Sequence, residues 1–219
     1  MGVSENADEL GKLISSTYTG SNNLADASRQ LVNTLFEEYG LVILDADDKR
    51  LKKEFSGIIA EDITGQHSFR TITDTNQKLA EHGIEAQVNP REINFFYLLD
   101  GLRERIVFEQ DLYRVLNTEI SFSKEELLKE IQDFPERFSP NVVMRPLYEE
   151  VILPNLAYIG GGAEIIYWLQ LKQNFDHYGV DFPILLLRNS AIFASLNLET
   201  KLNRLDLHIK DIFKNSEEL

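Results

Sequence analysis

Cysteine is absent from this 219-residue chain. No disulfide framework, thiolate metal centre or cysteine nucleophile is therefore available. A reducing cytoplasm is the expected location. Positive charge is scarce: 22 Lys and Arg stand against 36 Asp and Glu, a net charge of −14. A field of that sign repels phosphate backbones. The nearest basic stretch, DDKRLKK at residues 47–53, is mixed in sign, so nucleic acid is not an expected partner. Long apolar runs are missing as well. Nothing reaches the ~18 residues of a membrane span, and MGVSENADELGKL lacks the basic and apolar regions of a signal peptide. No membrane is expected.

What is present suits a globular domain, 43% hydrophobic and 26% charged. Residues 24–39 place Leu24, Ala27, Leu31, Leu35 and Phe36 on one helical face, with Asn23 as the N-cap and Gly40 as the terminator. The run LVILDADD then reads as a buried parallel strand over residues 41–44, carrying Asp45 and Asp47 at its carboxyl end. Another amphipathic helix starts at Lys49, capped by Asp47 or Asp48. Residues 86–120 alternate with period two around an Asp100-Gly101 hairpin signal, and Ser123 with Glu126 forms a capping-box pattern. A second buried strand is read at residues 184–187, in FPILLLRNS, and is expected to share a parallel sheet with residues 41–44.

The glycines of NLAYIGGGAEIIYWLQLK follow neither the Walker spacing nor G-x-G-x-x-G. They open a helix whose free N–H groups could bind an anion, or they make a tight strand-to-helix turn. Glu164 in the first helical turn suits the helix dipole and discourages a phosphate there. Arg91, Arg145 and Arg188 sit beside apolar stretches at segment ends. Guanidinium groups in such places need carboxylate, phosphate or carbonyl partners. His67, His82, His177 and His208 fall in separate segments without metal-ligand spacing, so no metal is evident and structural roles are expected. Leu198, Leu202, Leu205, Ile209 and Ile212 make an a/d seam, read either as a packed amphipathic helix or as the start of a coiled coil.

GLVILDADDKRLK, QVNPREINFFYL, SPNVVMRPLYEEVILPNLAYIGGGAEIIYWLQLK and FPILLLRNS together resemble, in order and spacing, the cysteine ligase family of bacillithiol biosynthesis, BshC. Its glycine stretch often reads Gly-Gly-Pro-Gly-Glu, from which Gly162 and Ala163 depart. The resemblance implies an α/β fold with a Rossmann-like, mostly parallel sheet and helices on both faces. Residues 1–22 would be a lead-in, 23–197 the core with an antiparallel insertion or edge at 86–120, and 198–219 the first part of a dimerising coiled coil. It also implies a fragment, the second half of the core, inactive alone.

The implied reaction of the whole enzyme joins cysteine to glucosaminyl-malate as an amide. That chemistry needs an activated carboxylate, which makes ATP or ADP the candidate cofactor, and cations that stabilise developing charge. The small molecules are the expected partners, together with a second copy through the coiled coil. Arg91, Asn94, Asn141, Arg145, Gly160, Gly161, Gly162, Glu164, Tyr167, Arg188 and Ser190 are the candidate substrate- or anion-binding residues. No catalytic residue is assigned, and Trp168 is expected in the core. One groove is expected to gather Arg188, Ser190, the glycine turn and Arg145, and to accept malate, citrate or a nucleotide phosphate. The competing reading is a non-catalytic α/β ligand-binding or assembly module with an anion or nucleotide groove.

Overall fold

The structure is a computed structural model that describes residues 6–193 and 195–215. Helices α1 (Ala7–Gly20) and α2 (Leu24–Phe36) form a hairpin, so the described part of the expected lead-in is largely helical. Asn23 caps α2 by accepting from the Asp26 N–H at 2.8 Å, and Gly40, at φ +71°, ends the short turn that follows. Helices α3 (Lys49–Gly65) and α4 (His67–Glu81) meet at Gln66, whose φ of +54° makes the corner.

A five-stranded antiparallel sheet of order β4-β3-β2-β1-β5 comes next. It comprises β1 (Phe95–Leu99), β2 (Leu102–Glu109), β3 (Leu112–Val115), β4 (Ser121–Phe122) and β5 (Phe138–Pro140), with α5 (Lys124–Asp133) between the last two. The β1–β2 hairpin pairs Leu99 with Leu102 across Asp100 and Gly101, whose φ of +68° is the reason for glycine there. Period-two alternation sends Phe95, Tyr97, Ile106, Tyr113 and Val115 to one face, where they join Phe55, Ile59, Leu127 and Ile131 in the core.

The chain closes with α6 (Arg145–Ile152), β6 (Ala157–Gly160), α7 (Gly162–Gln170), α8 (Lys172–Tyr178), β7 (Ile184–Leu187) and α9 (Leu196–Arg204). β6 and β7 are parallel neighbours in a two-stranded sheet of their own. Trp168, expected in the core, is fully buried and stacks on Tyr158 with centroids 4.0 Å apart.

Three expectations are corrected. The antiparallel strands are the main sheet rather than an insertion into a parallel one. Residues 41–44 form no strand and do not pair with β7; Leu41, Val42 and Leu44 are exposed. An apolar run shows that a segment favours burial, but not which edge is available to receive it. The leucine seam is not one helix either. α9 stops at Arg204, Asp206 takes φ +56°, and Leu207 N–H closes onto the Leu202 carbonyl at 3.0 Å. A 3-10 turn spans Ile209–Phe213, and only Leu202 of the seam is buried. Leucines at a/d spacing need a partner helix to bury them. Residues 216–219 of the expected coiled coil lie outside the described residues.

Candidate functional site

The face of β1–β2 turned away from the core floors a cavity of about 560 Å³. Arg91, Arg103, Arg105 and Arg145 all line it, and among the described residues no Asp or Glu does. The placement follows from strand geometry. Arg103 and Arg105, two apart on β2, share a face, and Arg105 lies directly opposite Phe96. The Arg103 guanidinium sits 3.7 Å from the Phe96 ring centre, a cation–π contact that holds it over the floor. Among the described residues, Arg91, Arg103 and Arg105 have no carboxylate within ion-pair distance.

Arg91 and Asn141 are held by one buried residue, Asn94. Its side-chain Oδ1 accepts from Arg91 N–H and from Asn141 Nδ2, both at 2.9 Å, and its Nδ2 donates to Ser68 Oγ at 2.8 Å. Asn141 Oδ1 then accepts from Val143 N–H at 2.9 Å, fixing the turn into α6 and thus the position of Arg145. Asn94 is fully buried with its amide satisfied, so it positions the cavity wall instead of meeting a ligand.

Arg145 links this cavity to the glycine turn. Its Nη1 is 2.6 Å from Glu149 Oε2 and its Nη2 donates to Tyr167 Oη at 2.8 Å. Burial opposes the guanidinium charge, but Tyr167 and Glu149 hold its pKa above the ordinary arginine value. Tyr158 Oη lies 3.4 Å from Glu164 Oε1, and Glu164 Oε2 accepts Gly161 N–H at 2.8 Å. That backbone bond is the main reason the Glu164 carboxyl is held below its usual range.

Arg188 donates its own N–H to the Gly160 carbonyl at 2.9 Å, and its guanidinium packs over Gly161. A Cβ on Gly161 would come within 3.2 Å of Arg188 Nη2, and one on Gly160 within 2.6 Å of Tyr158 Cε1. Gly162 has open space around it. The glycines therefore admit Arg188 and Tyr158 close to the backbone. Ser190 is exposed beyond β7 with no side-chain partner among the described residues.

Asp48 is the α3 cap, accepting from Arg50 N–H at 2.8 Å. Asp45 accepts from Asp47 N–H at 2.9 Å, and Asp47 pairs with buried Lys52 at 3.3 Å. These acids serve the turn and the core. Sequence reading missed Arg103 and Arg105, although their spacing of two in an alternating segment signals a shared face. It also separated His67 from His177, which stack with centroids 4.1 Å apart beside Glu61.

A parallel β6–α7–α8–β7 unit with a glycine turn at its first strand end makes this part of the chain α/β. The family model described as bacillithiol biosynthesis BshC, N-terminal Rossmann-like domain, matches residues 1–189, and the chain belongs to the BshC family. It is 52% identical over 219 residues to a Flavobacterium johnsoniae protein named "Putative cysteine ligase BshC". Proteins of the same name from Flavobacterium psychrophilum and Christiangramia forsetii are 50% and 48% identical over the same 219 residues. The whole chain aligns in each case and spans 41% of the relative's length. Because the match is to the family's N-terminal Rossmann-like domain, the expected C-terminal-half placement is overturned. Among the described residues, no helix is long and apolar enough to cross a membrane.

Proposed function

We propose that this chain supplies the carboxylate-binding surface of a ligase of bacillithiol biosynthesis, one that joins cysteine to glucosaminyl-malate through an amide. The observation that carries this reading is the cavity lined by Arg91, Arg103, Arg105 and Arg145 with no acid among the described lining residues, only Arg145 of the four having a carboxylate partner, in a chain of net charge −14. Its volume is that of a small-molecule site. Malate carboxylates match forked guanidinium donors, and such charge-assisted bonds are the strong ones. In this reading Arg103 and Arg105 bind from the strand face, Arg91 and Arg145 close the walls, and Asn94 and Asn141 keep those walls in place. Arg188, packed over Gly161 at the end of β7, extends the positive surface along the parallel pair.

Activation of a carboxylate brings ATP or ADP to such a reaction. The glycine turn does not fit nucleotide phosphates, because Glu164 already takes the Gly161 N–H and places its own negative charge there. The chain's contribution is anion binding and orientation.

Thermal unfolding in malate or citrate, at matched ionic strength, tests the reading. An affinity near ~1 mM gives about 1.4 kcal/mol of stabilisation at 10 mM ligand. Arg103→Ala and Arg91→Ala should unfold like wild type without ligand and lose the shift. A wild type unmoved by either anion, or a shift kept by the Arg91→Ala/Arg103→Ala pair, overturns it.

A further inference from the structure

The corner between α3 and α4 carries Glu61 near the end of one helix and His67 at the start of the next, and α8 brings His177 against them. The two imidazoles stack at 4.1 Å, and His67 Nε2 and His177 Nε2 lie 3.8 and 3.2 Å from the same atom, Glu61 Oε1. One ligand atom from each residue falls within 4.8 Å of the other two. Ligands about 2.0–2.2 Å from a tetrahedral zinc ion stand roughly 3.3 Å from one another. His177 Nε2 stands at that figure from Glu61 Oε1 and His67 Nε2 somewhat farther, and the stacked rings, 29° apart, must turn for their in-plane lone pairs to meet one ion.

We propose that Glu61, His67 and His177 bind a divalent transition-metal ion, zinc by ligand chemistry, with the fourth position open to water. Two imidazoles and one carboxylate favour zinc, cobalt or nickel over magnesium and calcium, which prefer all-oxygen shells. The site is distinct from the arginine cavity and independent of the ligase reading.

The ligands are set in place by a buried neighbour. Asp62 accepts from Ser68 N–H at 2.7 Å, Ser68 Oγ at 2.8 Å and Tyr178 Oη at 2.9 Å, tying α3, the start of α4 and the end of α8 together. Glu61, His67 and His177 are each the immediate sequence neighbour of one of these three residues. Gly65 leaves the space into which His67 turns, since a Cβ there would lie 2.5 Å from its Nε2.

One neighbour opposes the metal. Arg70 Nη2 is 3.1 Å from His67 Nδ1, and a guanidinium only donates, so Nδ1 accepts and Nε2 carries the proton toward Glu61. Metal at Nε2 requires that proton to move to Nδ1 and the exposed Arg70 to swing away. Metal-bound histidines usually have an acceptor at this position. Arg70 therefore weakens the site, and its removal should tighten it.

Cobalt(II) titration of the untagged 219-residue chain, followed by d–d absorption and zinc competition, decides the matter. Wild type should bind one equivalent, displaced by zinc. His67→Ala and His177→Ala should each lose 100-fold or more with unchanged far-ultraviolet circular dichroism, while Arg70→Ala binds about tenfold tighter. Absence of saturable one-to-one binding in both wild type and Arg70→Ala overturns the site, as does unaltered affinity in His177→Ala.

Discussion

The antiparallel sheet turns Phe95, Tyr97, Ile106, Tyr113, Val115 and Phe138 into the core, whereas the parallel pair leaves Ile159, Ile184 and Leu186, which share one face, at 65%, 67% and 47% exposure. Both sheets are built from apolar strands, so hydrophobicity alone does not separate them. The difference is coverage. Helices α3 and α5 lie over the antiparallel sheet, and its other face is the polar floor of the arginine cavity. Among the described residues the parallel pair has a cover on one side only, where Tyr158 meets Trp168. Parallel sheets elsewhere are covered on both faces.

Truncation on each side gives the largest contrast. Phe138→Ala should cost about 3–5 kcal/mol, because a fully buried ring leaves a cavity, while Ile159→Ala should cost under about 0.5 kcal/mol. Urea denaturation measures both. A large loss at Ile159 would mean that its face is covered in solution, by a second copy or another segment.

Asp62→Ala comes next. It leaves the Ser68 and Tyr178 donors without their acceptor inside the closed part of the molecule, a loss of about 3 kcal/mol. If the variant unfolds like wild type, the corner holding Glu61, His67 and His177 is not organised by this residue.

Local chemistry was readable in the sequence and long-range pairing was not. The Asn23 cap, the Ser123–Glu126 capping box and the Asp100-Gly101 hairpin each depend on residues two or three apart, and all three form. Residues 41–44 and β7 carry the same apolar signal, yet only β7 found a strand. Which edges meet depends on packing of helices far away in sequence. The arginine cavity was partly visible for the same reason. Arg91 and Arg145 stood out beside apolar stretches, while Arg103 and Arg105 looked like ordinary strand surface until the fold brought four guanidinium groups together. His67 and His177, 110 positions apart, carried no spacing signal at all.

The glycine turn sharpens the comparison at intermediate cost. Gly160→Ala forces its Cβ against the Tyr158 ring and should cost about 1–3 kcal/mol in the parallel unit. Gly162→Ala meets nothing within 4 Å, and as the first residue of α7 it should be neutral or stabilise by up to about 1 kcal/mol. Equal effects at the two positions would show that the Tyr158 contact does not set the turn.

The smallest effect concerns two partly exposed carboxylates that do the same job in the two parts. Asp48 starts α3 beside the antiparallel sheet, and Glu164 starts α7 beside the parallel pair. Bonds from the Arg50 side chain and backbone hold the Asp48 pKa at about 2, below its ordinary 3.8. A carboxylate lowered by folding stabilises the native state above its unfolded pKa, and that contribution fades as pH falls through the folded value. The Asp48→Ala variant should therefore be less stable than wild type near neutral pH, with the gap closing between pH 4 and about 2. Glu164 is also lowered, chiefly by the Gly161 N–H, so Glu164→Ala should show the same direction of pH dependence. Urea midpoints across this range, on wild type and both variants, provide the readout. A gap that stays constant down to pH 2 would mean that the Asp48 side chain stabilises α3 through something other than its charge.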